Sequence, residues 1–164
     1  MDLVNFIHEV GTLKLIPRSG WLKVGVKNPE SVAEHSFRAA IIAFLLAKES
    51  GIEKALKSAF CALVHDLHES RTMDLHGLAK KYVKVDEEKV KNEQVSFGID
   101  FKDISDVEKF VKDADKLELA FQAVEYSNIT KFAIEFAEEL EFETDIARKI
   151  YEELMKRKDP RWWR

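Results

Sequence analysis

Four metal-seeking side chains in this sequence sit where helices can bring them together: His35, the adjacent pair His65 and Asp66, and Asp115. Neutral imidazole combined with carboxylate suits a divalent transition ion better than calcium, which takes all-oxygen shells. The single cysteine, Cys61, rules out a thiolate cluster. A shell of two imidazoles and two carboxylates leaves positions open for a water and a phosphate oxygen. That points to hydrolysis rather than to structural metal binding.

The elements that must position these groups read as helices. Asp2 can cap a first helix with Leu3, Phe6, Ile7 and Val10 on one face. Glycines and prolines then mark an irregular stretch over residues 16–29. Ser31 and Glu34 form a capping-box pattern, so a second helix starts there and is stopped by Gly51, with His35 in its first turn. A third helix is expected over 52–69, with Leu56, Phe60, Leu63, Val64 and Leu67 inward and His65-Asp66 near its end. Short helices are expected near 75–82 and 86–95. A second capping box, Ser105 and Glu108, opens a long helix to about Tyr126 that carries Asp115. Asn128 and Thr144 can cap two more, with Phe132, Phe136 and Leu140 buried in the first. Strand patterns are nearly absent. The fold expected is an all-α bundle of about six to eight helices in one domain spanning residues 1–164.

Each candidate has a plainer reading. His35 alone is an ordinary polar residue of a first helical turn. His65 and Asp66 are consecutive, hence about 100° apart on a helix, and cannot both be core residues. Metal ligation explains two polar groups after the apolar run Ala62-Leu63-Val64. Asp113 rivals Asp115 but lies roughly 200° away on the helix. Register favours Asp115 at the site and leaves Asp113 as a solvated carboxylate. Glu69 follows His65 by four and Asp66 by three, on the same flank. Arg18 sits in the Gly-containing loop Pro17-Arg18-Ser19-Gly20-Trp21, and a guanidinium fork can grip phosphate through two parallel hydrogen bonds. His8, His68 and His76 are left outside the site.

The segments Ser31-Val32-Ala33-Glu34-His35-Ser36, Val64-His65-Asp66-Leu67-His68-Glu69 and Asp113-Ala114-Asp115-Lys116-Leu117-Glu118 together resemble the HD-domain phosphohydrolases. Pro17 to Trp21 narrows the resemblance to the 5'-deoxynucleotidase branch, over residues 13–126, with C-terminal helices at 128–158. The resemblance implies one divalent ion on His35, His65, Asp66 and Asp115. Cobalt or manganese are the metals it implies first, with iron, nickel, copper or zinc as alternatives. It makes Glu69 and Asp74 catalytic, Arg18 the phosphate anchor, and Trp21 a wall of the sugar or base pocket. The substrate implied is a nucleoside 5'-monophosphate, with deoxy substrates preferred, and the implied assembly is a homodimer. Phosphodiester or nucleoside-triphosphate hydrolysis by the same ligand set stands as an alternative, as does a non-catalytic metal- or nucleotide-binding module.

Composition agrees with a globular, soluble chain rather than a disordered one. The 164 residues are 46% hydrophobic and 34% charged, with a net charge of -4 and acids and bases interspersed. Without a basic face, nucleic acid is not an expected partner. The longest apolar run, Ala39 to Ala47, falls short of the roughly 20 residues a membrane span needs. One cysteine and no basic, apolar leader fit a cytoplasmic protein.

Overall fold

The computed structural model describes residues 2–95 and 104–164, and among these the regular structure is helical. The α-helices are α1 (Leu3–Gly11), α2 (Val32–Ala47), α3 (Ile52–Val64), α4 (Glu69–Thr72), α5 (Glu87–Val95), α6 (Glu108–Tyr126) and α7 (Asp145–Arg157), joined by 3-10 turns. Helix α2 begins where the sequence places it. The Ser31 hydroxyl accepts the Glu34 amide and the Glu34 carboxylate accepts the Ser31 amide, satisfying two orphan donors of the first turn. Gly51, at φ 106°, ends the helical run and starts α3.

Small residues let three helices approach closely. Ala39, Ala43 and Ala47 of α2, Ala55 and Ala62 of α3, and Ala114 of α6 are buried together with Leu46, Phe110, Val111 and Leu117. Helix α6 runs through the middle, against α2, α3, α7 and the 3-10 segment Lys131–Ala137. Because α6 is covered on several sides, most of its faces are interior.

That central position corrects one expectation. Asp113 is fully buried rather than solvated. Its carboxylate accepts the amides of Glu143 and Thr144 at 2.9 and 2.8 Å and the Thr144 hydroxyl at 2.6 Å. It thus fixes the turn in which Thr144 caps α7. Asp113 turns into the interior, whereas Asp115 faces a cleft with its side chain 45% exposed.

Other expectations also change. The inward face of α3 is Ala55, Ser58, Cys61 and Ala62, while Leu56, Phe60 and Leu63 are about half exposed. Helix α3 stops at Val64 instead of running to 69. His65 Nδ1 donates back to the Ala62 carbonyl at 2.6 Å, and the bonds from Leu67 to Val64 and from Glu69 to Asp66 tighten the chain into a turn. In α1 only Phe6 is buried. No Ser105–Glu108 box forms, since α6 starts after Val107 without a side-chain cap. Only Ala79–Lys81 coils in the 75–82 stretch, as a 3-10 turn. After Asn128 the chain forms a 3-10 segment that leaves Phe132 half exposed and packs Phe136 on Trp21. No helix among the described residues is long and apolar enough to cross a membrane.

Candidate metal centre

Three elements deliver the candidate ligands to one point: the first turn of α2, the turn after α3, and the middle of α6. His35, His65 and Asp115 each offer an atom within 4.8 Å of the other two. Asp66 stands at the edge of this triplet, its Oδ2 3.2 Å from His65 Nε2 and 3.7 Å from His35 Nε2. The imidazole rings are 5.4 Å apart.

The outer nitrogens are already committed. His35 Nδ1 lies 2.5 Å from Glu118 Oε2. His65 Nδ1 is bound to the Ala62 carbonyl, which can only accept, so the proton sits on Nδ1. Burial would raise Glu118, but His35 and Arg38 outweigh it and hold the carboxyl below its ordinary value, so it too accepts. In its neutral form, which is the form that binds a metal, each ring therefore turns a lone pair inward at Nε2. Both Nε2 atoms are buried and lack an aligned hydrogen bond, although Asp115 Oδ1 is 3.2 Å from that of His35. Two orphaned imidazole nitrogens facing two carboxylates form a donor set suited to a divalent cation.

The electrostatics agree. Burial opposes charge on His35, yet Asp115 and Glu118 overcome it and raise the ring to about 9. Burial likewise opposes charge on His65, and Asp115 and Asp66 push it up. Asp115 shows the reverse balance: burial would raise it, but the two imidazoles hold it well below the usual carboxylate range. The cluster attracts positive charge between the rings.

Arg18 supplies part of that charge. It donates to Asp66 Oδ2 at 3.1 Å, and its other nitrogen is 3.9 Å from Asp115. Glu69 lines the same cleft and is 96% buried, with Oε2 unpartnered. Burial first, then Asp66 and Asp74, push it up to about 8. Asp74 accepts the Ser19 amide at 2.6 Å, while the Ser19 hydroxyl accepts the His76 amide. Asp74 thus ties down the loop that carries Arg18. Trp21 borders the cleft, but its ring is packed edge-on to Tyr126 and against Phe136, and its Nε1 donates to Glu30. His68 is buried beside Glu87 and His76 accepts the Ala79 amide, so neither joins the cluster.

Behind the site lies a network that the sequence analysis did not single out. Arg38 donates to Glu118 at 2.9 Å, to Gln122 at 2.5 Å and to Glu125 at 2.7 Å. Glu30, His35 and Glu118 also cluster closely, but Trp21 and Arg38 occupy the Glu30 and Glu118 oxygens, so these groups orient His35. Asp115, Glu118, Gln122 and Glu125 recur at spacings of three and four on α6. That polar stripe was readable in the sequence. Lys80 also lines the cleft, with no motif to mark it.

Known proteins resemble this chain over most of its length. Residues 10–155 match the model of the HD domain family. The protein named 5'-deoxynucleotidase HDDC2 of Bos taurus is 31% identical over 144 residues, 78% of this chain and 69% of that protein. Among solved structures, that of genomics APC5600 is 62% identical with a TM-score of 0.94, covering 99% and 98% of the two chains. The predicted coding region AF1432 from Archaeoglobus fulgidus is 56% identical with a TM-score of 0.82, covering 98% of each.

Proposed function

Because the chain belongs to the HD domain family, we propose that it is a metal-dependent phosphomonoesterase that hydrolyses nucleoside 5'-monophosphates to nucleoside and phosphate, deoxy substrates preferred. The relatives named 5'-deoxynucleotidase support the substrate class. The observation that carries the reading is the convergence of the two unpaired Nε2 atoms on Asp66 and Asp115, with both Nδ1 atoms anchored behind.

In this reading His35, His65, Asp66 and Asp115 hold one divalent ion, cobalt or manganese in the first instance. The ion supplies Lewis acidity toward the phosphoryl group and lowers the pKa of water. The protein does the rest. Arg18 exchanges its Asp66 contact for the phosphate, presenting a planar fork to two oxygens. Glu69, buried and with a free oxygen, accepts the proton of the attacking water. Asp74 keeps the Ser19 amide, and so the Arg18 loop, in place as the 5'-oxygen departs. Trp21 closes one wall and excludes water by packing.

The family match over residues 10–155 supports one domain. The lone buried thiol, Cys61, suits the reducing cytoplasm. We take the working assembly to be a homodimer. Phosphate release from dAMP, AMP, a cyclic dinucleotide and dGTP, each with added manganese or cobalt, tests the function. Turnover of dAMP above AMP is expected. Turnover confined to the diester or the triphosphate would replace this reading with another hydrolysis, and none at all would leave a binding module.

A further inference from the structure

Helices α2 and α3 pack side by side, and each carries a run in which the exposed positions are all apolar. On α2 every exposed position from Phe37 to Leu45 is apolar: Phe37, Ile41 and Leu45. On α3 every exposed position from Leu56 to Leu63 is apolar: Leu56, Phe60 and Leu63. These six side chains are 45–65% exposed. The spacing of four along each helix, with three between Phe60 and Leu63, sets them in two parallel rows. Arg38, the one cation among the α2 residues here, is half-buried and committed to Glu118, Gln122 and Glu125.

We propose that this face is where a second copy of the chain docks, α2 and α3 of each copy packing on those of the other about a two-fold axis. The inference rests on the homodimer reading above and names its surface. Area favours a second copy. The six side chains leave on the order of 600 Å² of apolar surface open, at the upper end of what a soluble monomer shows. That is most of the ~800 Å² that each partner gives to a standard interface. Chemistry favours it too. An apolar face that meets its own copy about a two-fold axis is complementary to itself, each copy's rows covering the other's. At Phe37 and Ile41 the face borders a cavity of about 520 Å³ whose other walls include Glu30, Glu34, Arg38 and Gln122, and this polar rim bounds the apolar surface. The apolar residues after Asn128 are less available, because Ile134, Phe136 and Leu140 pack into the core around Trp21.

The position of the face matters for the site. Its helices carry His35 in the first turn of α2 and lead into His65 and Asp66 after α3. Docking there buttresses the backs of the elements that present three of the four candidate ligands.

Sedimentation equilibrium on the full chain tests the proposal. The expected mass is twice the 18.9 kDa of one chain, falling to one chain in Ile41→Glu/Phe60→Glu and, independently, in Leu45→Lys/Leu56→Lys. Helical circular dichroism of both variants should match the parent, since the replaced side chains are about half exposed already. Phe132→Glu, at a half-exposed position of the 3-10 segment Lys131–Ala137 and outside both helices, should remain a dimer. A parent that sediments as a monomer overturns both the surface and the homodimer reading. A parent dimer that persists in both double variants overturns the surface alone. Phosphate release from dAMP by the parent reports on the chemistry separately in either case.

Discussion

His35 Nδ1 sits 2.5 Å from Glu118 Oε2 at a point where both side chains are shut off from solvent. The pair sets the direction of the lone pair on the opposite ring nitrogen, and Arg38 in turn sets Glu118. Carboxylates in this relation to a metal-binding histidine raise the basicity of the ligand and hold its ring.

Glu118→Gln should therefore weaken divalent-metal binding by about 10–100-fold while leaving the helical content intact. Calorimetric titration with manganese measures this directly. Unchanged affinity would reduce Glu118 to a packing role.

Glu69→Gln should lower kcat by about 10²–10⁴-fold with little change in KM, as removal of a general base does. The pH dependence carries a second signature. Burial and the nearby Asp66 and Asp74 raise Glu69 to about 8, and a base works only when ionised. The rate should climb as pH rises and level off above that value; a bound cation would move the midpoint lower. A profile of kcat/KM should show this rise in the parent and lose it in the variant.

Arg18→Lys keeps the charge and loses the fork. It should raise KM for a 5'-monophosphate by about tenfold, since one of two parallel charge-assisted bonds, worth about 1.5 kcal/mol, is removed. Steady-state kinetics on dAMP decide this, and equal constants for the two proteins would show that Arg18 does not clamp phosphate.

Asp113→Ala should behave in the opposite way. It strips the Glu143 and Thr144 amides and the Thr144 hydroxyl of their buried acceptor. A loss of about 2–4 kcal/mol is expected, read as a lower midpoint in denaturant, with kinetic constants for the surviving folded protein little changed.

The contrast between Asp113 and Asp115 shows where sequence reading works and where it stops. The capping box at Ser31, the stop at Gly51 and the convergence of His35, His65 and Asp115 all follow from local chemistry and helical spacing. Burial of Asp113 depends on α6 being covered from several sides, which no single-helix pattern reports. Helix α3 misled for a related reason. Its large apolar side chains define one face and its small ones another, and close packing on α2 uses the small face. A moment computed from hydrophobicity alone points to the wrong side whenever the large residues serve a second surface. The Arg38 network was half visible as a polar stripe on α6, but its partner lies on α2, eighty residues away from Glu118.

The most direct measurement is phosphate release from dAMP in the presence of manganese, by the parent chain and by folded His65→Ala. The account predicts turnover by the parent and its loss in the variant, because removing one inward-facing imidazole leaves the ion one ligand short. Undiminished turnover by His65→Ala would contradict it.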